Sequence, residues 1–480
     1  MVMKTVFDES WQQWIRTNVD AGQDKDGIFK ILLDEGYDFQ AIKQQMNYEP
    51  SIPVVLLQNP FKIAAQKTRQ QAIQSQNQSL SKLFLAGAKN CGSADIELYS
   101  VEDFLLPQEC QALIDLIEQA KQPSTITSEN PDQQFRTSST CHLGNMQDPV
   151  IRKIDLQICQ YLGIDPSYSE VIQGQHYQVG QQFKPHTDYF EPHELAHYGG
   201  IQGQRTYTFM IYLNEVEQGG DTVFPELAIG FKAKKGMAVI WNNINPDGSV
   251  NYQTLHQGMP VQKGEKIIIT KWFREHSLDQ PSGPMLCKEI NEYVPAYTKV
   301  GFVKERLPDW LFKQIVEFYK LNKALQVDEQ IPGDFVYNIN QGQKSSSLIE
   351  LPDQLRETLH DTLKPMMEAW CGKALEPTFV YGIRVYKDQA MLKLHRDRYQ
   401  THIISAIINV AQDVNQDWPL SIDDNYYRQH QVNLQPGEML FYESARLKHG
   451  RPLPLDGRCY ANIFCHFKPL DYQPELLKKL

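Results

Sequence analysis

Residues 206–214 read TYTFMIYLN, a short apolar run rich in aromatic and β-branched side chains. Such residues pack well on a pleated strand, so the run is read as a buried strand. MAVIWN (237–242) and KIIITKWF (266–273) have the same character and predict two more strands. Upstream, Leu106–Pro107 opens a helical pattern, QECQALIDLIEQ, with proline well placed at the first helical position. A helix followed by β-rich sequence predicts a helix-backed barrel or sandwich.

The same order recurs further along. Leu307–Pro308 opens a second helical pattern, DWLFKQIVEFY, again with proline at the first helical position, and then come FVYGIRVY (379–386), HIISAIINV (402–410), EMLFYE (438–443) and CYANIFCHF (459–467). Gln280–Pro284 punctuates the chain between the two β-rich stretches, and the Gln- and Ser-rich residues 66–82 form a second linker or polar helix. Before them, Trp11, Trp14, Ile15, Ile28, Leu32 and Leu33 recur at helical spacing, with a turn expected at Glu35–Gly36 and Ile42 beyond it. These residues predict a small helical bundle whose aromatics fill its own core. At 480 residues the chain has room for about three units, and one helical segment plus two β-rich units accounts for them.

Composition bounds the function. The chain is 41% hydrophobic and 22% charged, which suits a globular protein. Lys plus Arg is 47 against 58 Asp plus Glu, a net charge of −11, so neither nucleic acid nor an anionic membrane is the expected partner. Eight cysteines with no CxxC pair are too sparse for a disulfide scaffold and read as small core hydrophobes. No apolar leader and no run of about 18 apolar residues is present, so a cytoplasmic location is expected.

The first β-rich unit contains His186–Thr187–Asp188, then His256 seventy residues on, then Lys266 ten further. In an extended strand residues i and i+2 share a face, so His186 and Asp188 can present imidazole and carboxylate together. His256 from a distant strand would complete a 2-His-1-carboxylate facial triad, which suits non-haem Fe(II). Lys266, at the start of a strand, could fix an anionic cosubstrate. An HxD pair alone is weak in a chain with 13 histidines, and a satisfied core histidine is the bland reading.

The surrounding residues decide between the two. HYQVGQQFKPHTDYF (176–190), QRTYTFMIYLN (204–214), GGDTVFPE (219–226), KKGMAVIWN (234–242), LHQGMPVQKGEK (255–266) and KWF (271–273) resemble the prolyl 4-hydroxylase family of Fe(II)- and 2-oxoglutarate-dependent dioxygenases. The resemblance implies that His186, Asp188 and His256 hold iron. It also implies that Lys266 pairs with the distal carboxylate of 2-oxoglutarate, and that Tyr177, Thr208 and Tyr212 line the cosubstrate pocket with Trp272 beside it. Implied with these are Fe(II), 2-oxoglutarate and O2, with ascorbate as a further cofactor. The implied activity is procollagen-proline 4-dioxygenase-like hydroxylation of a peptidyl residue, proline first, coupled to decarboxylation of 2-oxoglutarate to succinate. A protein or peptide is then the partner. Arg205 is a candidate substrate contact, set against an ordinary surface arginine.

The second unit repeats the pattern with His395, Asp397, His449 and, nine residues later, Arg458; Tyr386 precedes His395 by nine residues as Tyr177 precedes His186. It looks like a diverged dioxygenase domain that lacks GGDTVFPE, with WPLSIDD (418–424) in its stead, and with Ile403 and Ile407 in the places of Thr208 and Tyr212. The expected fold class is α+β, mainly β: two double-stranded β-helix (jelly-roll) barrels backed by helices, plus an N-terminal helical segment. The expected limits are 1–85 for that segment and its linker, 95–275 for the first barrel and 300–475 for the second. Two other classes stay open. One is a non-catalytic peptide-binding protein built on two barrels. The other is a zinc metalloprotease through His193, Glu194 and His197 (HExxH), although its helix would be at most two turns and Gly203 stands where a third ligand is needed.

Overall fold

The computed structural model describes residues 4–20, 25–34, 37–50, 83–92, 96–124, 135–191, 194–195, 198–245, 248–278, 287–329, 335–340 and 342–477. The expected turn at Glu35–Gly36, the polar stretch 66–82 and the Gln280–Pro284 linker lie outside them. The chain divides into two compact units, one formed by the N-terminal helices and one that holds both β-rich halves. Among the described residues no helix is long and apolar enough to cross a membrane.

In the N-terminal unit the helices are Glu9–Asp20, Lys25–Asp34 and Phe39–Met46. Ile15, Ile28, Phe29, Leu32 and Ile42 form the core, with Trp11 and Trp14 packed against it. Asp38 caps the third helix by accepting from the Gln40 and Ala41 amides, which satisfies two otherwise unpaired donors.

The first β-rich half is antiparallel. Its large sheet runs Lys89–Asn90, Leu98–Val101, Ala238–Asn242, Arg205–Tyr212, Lys266–Arg274, Ile172–Tyr177, Ser139–Leu143, Gln122–Pro123. A four-stranded sheet runs Ile229–Phe231, Thr222–Phe224, His256–Gly258, Phe183–His186. Alternation along Arg205–Tyr212 explains why nearly every residue of the run is buried. Tyr207, Phe209 and Ile211 meet a layer made by helices Pro107–Ala120 and Pro149–Leu162, while Met210 and Tyr212 join Phe224 and Trp241 in a second core inside.

The second half has the same plan. Phe302–Arg306, Glu438–Tyr442, Ile404–Val414, Gly457–Pro469, Ile383–Lys387, Ser346–Ile349 and Val327–Asp328 follow one another in its large sheet, and Leu375–Val380 pairs with Gly457–Pro469. Its smaller sheet runs Val336–Asn338, Ala390–His395, His449–Arg451, Leu420–Asp423, Gln429–Val432. Helices Asp309–Asn322 and Asp353–Cys371 back it, with Ile404, Ala406 and Ile408 facing them. Two local readings are corrected. Pro308 stands at the N-cap rather than inside its helix, and FVYGIRVY is two strands because the chain leaves the sheet at Tyr381–Gly382.

The two halves share one compact unit, and aromatic packing joins them. Tyr426 of the second half sits among Phe104 and Tyr161 of the first, and the Arg428 guanidinium donates to the Asp103 carbonyl. Within the first half, Lys271 on a central strand is ion-paired with Asp155 of the backing helix at 2.5 Å, both buried. Removing one member of such a pair leaves the other charge buried and uncompensated. Asp155→Ala is therefore expected to destabilise the protein by about 3–5 kcal/mol, measured by denaturant unfolding against wild type.

Candidate active site

His186 and His256 are direct partners across the small sheet, their ring centroids 4.3 Å apart. The His186 strand ends at the histidine itself, so Asp188 is delivered by the turn that follows rather than by strand alternation. Its Oδ2 lies 3.9 Å from His256 Nε2, and one ligand atom from each of the three residues falls within 4.8 Å of the others. His186 Nδ1 sits 2.8 Å from the Lys184 carbonyl and His256 Nδ1 2.9 Å from the Thr254 carbonyl. A carbonyl only accepts, so each Nδ1 carries a proton and Nε2 is the nitrogen left to face a metal. Burial, aided by His256, pushes His186 down to about 3, which keeps the ring neutral. Burial alone would raise Asp188, but the two histidines, Arg205 and the Thr208 hydroxyl together hold it below its usual range.

The three residues line a cavity of about 40 Å³ that Lys266 and Tyr177 line as well. Lys266 is 2% exposed and, among the described residues, has no carboxylate within ion-pair distance; its ammonium donates to Thr222 Oγ1 at 3.2 Å. The rings of Tyr177 and Tyr212 lie 5.4 and 5.5 Å from it. Burial lowers its pKa to about 7, opposed only by Asp221. A buried cation without an anion is costly, and an anionic ligand relieves that cost. Thr208 and Tyr212 act from behind the wall. The Thr208 hydroxyl donates to Asp188 at 2.8 Å and receives Asn243 Nδ2, while the Tyr212 hydroxyl donates to the Phe231 carbonyl.

Arg205 is neither a surface residue nor free. It forms a two-pronged pair with Glu170 at 2.7 and 2.8 Å and stacks 4.0 Å from the Trp272 ring, which lines the cavity. Sequence reading missed three residues here. Arg136 lines the cavity and stacks over Phe183, Thr222 holds Lys266, and Asn243 orders Thr208. Thr222 lies inside the quoted GGDTVFPE motif, whereas Arg136 and Asn243 carry no spacing signal.

The second half assembles a matching triad. His395 and His449 are cross-strand partners with ring centroids 4.6 Å apart, and their Nε2 atoms lie 3.6 and 4.0 Å from Asp397 Oδ1. Each Nδ1 again faces the carbonyl two residues earlier, Lys393 and Leu447. The triad opens into a cavity of about 570 Å³ that Tyr386 also lines. Arg458 is not there: it is 86% exposed and paired with Asp413 on the outside. Strand pairing shows why. Tyr177 faces Lys266 in the first half and Tyr386 faces Tyr460 in the second, so Tyr460 occupies the Lys266 position. By the same register Thr208, paired with Trp272, corresponds to Ser405, paired with His466, and Tyr212 to Asn409, rather than to Ile403 and Ile407.

For the rival zinc reading, His193 and His197 lie outside the described residues, and Glu194 accepts the Glu191 amide as a local cap. Among the described residues the two triads are the groups able to hold a metal.

Two neutral imidazoles and a carboxylate, with the rest of the coordination sphere left open, fit a non-haem Fe(II) oxygenase. A model of the 2OG-Fe(II) oxygenase superfamily matches residues 172–274, which contain the whole first triad and Lys266. Within that class the chain belongs to the prolyl 4-hydroxylase family. It is 34% identical over 197 residues to probable prolyl 4-hydroxylase 10 of Arabidopsis thaliana, covering 36% of this chain and 67% of that protein. It is also 34% identical over 185 residues to prolyl 4-hydroxylase subunit alpha-1 of Rattus norvegicus, 38% of this chain and 33% of that protein. Among solved structures, the viral collagen prolyl hydroxylase of Paramecium bursaria Chlorella virus-1 in complex with 2OG is similar at 28% identity and a TM-score of 0.31, covering 37% of this chain and 95% of that one.

Proposed function

We propose that the first β-rich half hydroxylates a prolyl residue of a protein or peptide, using Fe(II), 2-oxoglutarate and O2. The observation that carries this reading is one cavity holding the His186, Asp188 and His256 ligand set together with the anion-seeking Lys266. Bound iron would supply oxidative chemistry, coupling decarboxylation of 2-oxoglutarate to substrate oxidation. The chain's share is positioning: the Lys184 and Thr254 carbonyls fix the imidazoles, Thr208 orients Asp188, and Lys266 with Tyr177 grips the far carboxylate. Ascorbate is taken as a further cofactor.

The second triad is read as a further iron site, supported by the same Nδ1-to-carbonyl arrangement at both histidines. Both halves are read as double-stranded β-helix domains, at about 95–275 and 300–475, behind a helical segment at 1–85. Eight free cysteines support a reducing compartment, the cytoplasm. The peptide-binding and zinc-protease readings are not favoured, because both leave the buried Lys266 without a purpose.

The test is mass spectrometry of host proteins from cells carrying wild type or His186→Ala. The reading expects prolyl residues one oxygen heavier with wild type only. Identical proteomes, or added oxygen confined to another residue type, would contradict it.

A further inference from the structure

The second half holds a buried guanidinium that the triad alone does not explain. Arg451 is 1% exposed, lies between the rings of Trp418 and Tyr460 at 4.6 and 4.5 Å, and lines the cavity that contains His395, Asp397 and His449. Its only close acceptor among the described residues is the Trp418 carbonyl, with the Tyr460 hydroxyl at 3.5 Å. The buried arginines Arg428 and Arg446 of this half are satisfied, by Asp424 and by Asn425 with two carbonyls, and the half-buried Arg384 is paired with Glu329. Arg451 has no carboxylate within ion-pair distance among the described residues. A dry guanidinium with unused donors is costly and is relieved by an anion.

Register indicates what that anion is. The position of Lys266 is taken by Tyr460, so the second half has lost its cation on that strand. Arg451 stands two residues after the second histidine of its triad, and the residue two after His256 is Gly258. A Cβ on Gly258 would lie 3.6 Å from Lys266 Nζ, so a side chain from that position heads to where the first half keeps its ammonium. The two halves therefore exchange places: lysine with glycine opposite in the first, tyrosine with arginine opposite in the second.

We propose that the second half binds a small 2-oxo dicarboxylic acid whose far carboxylate is held by Arg451, not by Arg458. This rests on the reading of His395, Asp397 and His449 as a metal site. A planar guanidinium can take a carboxylate through two parallel hydrogen bonds, which an ammonium cannot. Of the other arginines on this cavity, Arg384 is paired with Glu329 and Arg396 with Glu289, and Arg398 is exposed, which leaves Arg451 as the buried anchor beside the apolar walls Leu392, Ile407, Leu420 and Phe464.

The test uses the full chain loaded with Mn(II), with 2-oxoglutarate titrated by calorimetry and bound metal counted by atomic absorption. In an Asp188→Ala background, which removes the first metal site, the remaining site reports the second half. Arg451→Gln is expected to weaken it about 10–100-fold, the worth of a charge-assisted bond, while Arg458→Ala leaves it unchanged. Should Arg451→Gln fail to fold, Arg451→Lys is expected to fold and still bind several-fold more weakly. Unaltered affinity in a folded Arg451 variant, or an equal loss in Arg458→Ala, overturns the proposal alone. A single metal per chain, lost in His186→Ala and retained in His395→Ala, overturns the metal reading and the proposal with it.

Discussion

Replacing Asp188 with alanine is expected to lower iron-dependent succinate release by the first half by more than about 100-fold, since even residues that merely support metal ligands typically contribute 10–100-fold. Asp188 is the only anionic member of its triad, and its carboxylate accepts the Thr208 hydroxyl. Without it two imidazoles would remain, one ligand and one charge short of the facial triad that suits Fe(II). His395→Ala, measured beside it, should leave this prolyl-dependent release intact, because the second triad occupies a separate cavity. Succinate release driven by a prolyl peptide and undiminished in Asp188→Ala would remove iron from the first site.

Lys266→Ala is expected to raise the KM for 2-oxoglutarate about 10–100-fold with a smaller change in kcat, because a hydrogen bond to a charged partner contributes about 1.5–3 kcal/mol. The pH dependence has a definite sign. Burial lowers the ammonium's pKa to about 7 in the unliganded site, and a bound dianion raises it again. Binding is thus strongest below about pH 7 and weakens as pH rises above it, with proton uptake on binding in that upper range. Lys266→Ala should lose this pH dependence along with the affinity. A pH-independent KM in wild type would show that Lys266 does not meet the carboxylate.

The strands and the ligands were legible because both are local signals. TYTFMIYLN and KIIITKWF are apolar on both faces, and the structure buries both faces, one under helices and one between sheets. Each HxD motif is only three residues long, and the distal histidine lies directly across the sheet from its first member. What counting along the chain could not supply was register. In the second half the pairing of Ile404–Val414 with Gly457–Pro469 slips between Asp413 and Val414, which face Cys459 and Gly457, so Arg458 is the extra residue. A bulge of this kind adds a residue to one strand without moving its partner. Spacing from His449 therefore selects Arg458, whereas cross-strand pairing selects Tyr460 and leaves the cation to Arg451.

Other features were hidden by distance in sequence. Arg205 meets Glu170 across 35 residues, and this pair, stacked on Trp272, is what removes it from the surface. Thr208 resembles a pocket residue from its place on a strand, yet its hydroxyl is turned to Asp188. Such roles depend on which way a side chain points within a packed layer, and no motif encodes that.

The most direct test of the central claim is the coupling ratio. The purified protein with Fe(II), 2-oxoglutarate and a proline-rich peptide should yield one peptide-dependent succinate for each hydroxyprolyl residue, with hydroxyproline and that peptide-dependent succinate both absent in His186→Ala. Hydroxyproline formed without succinate, or peptide-dependent succinate formed at the same rate by His186→Ala, would contradict the account.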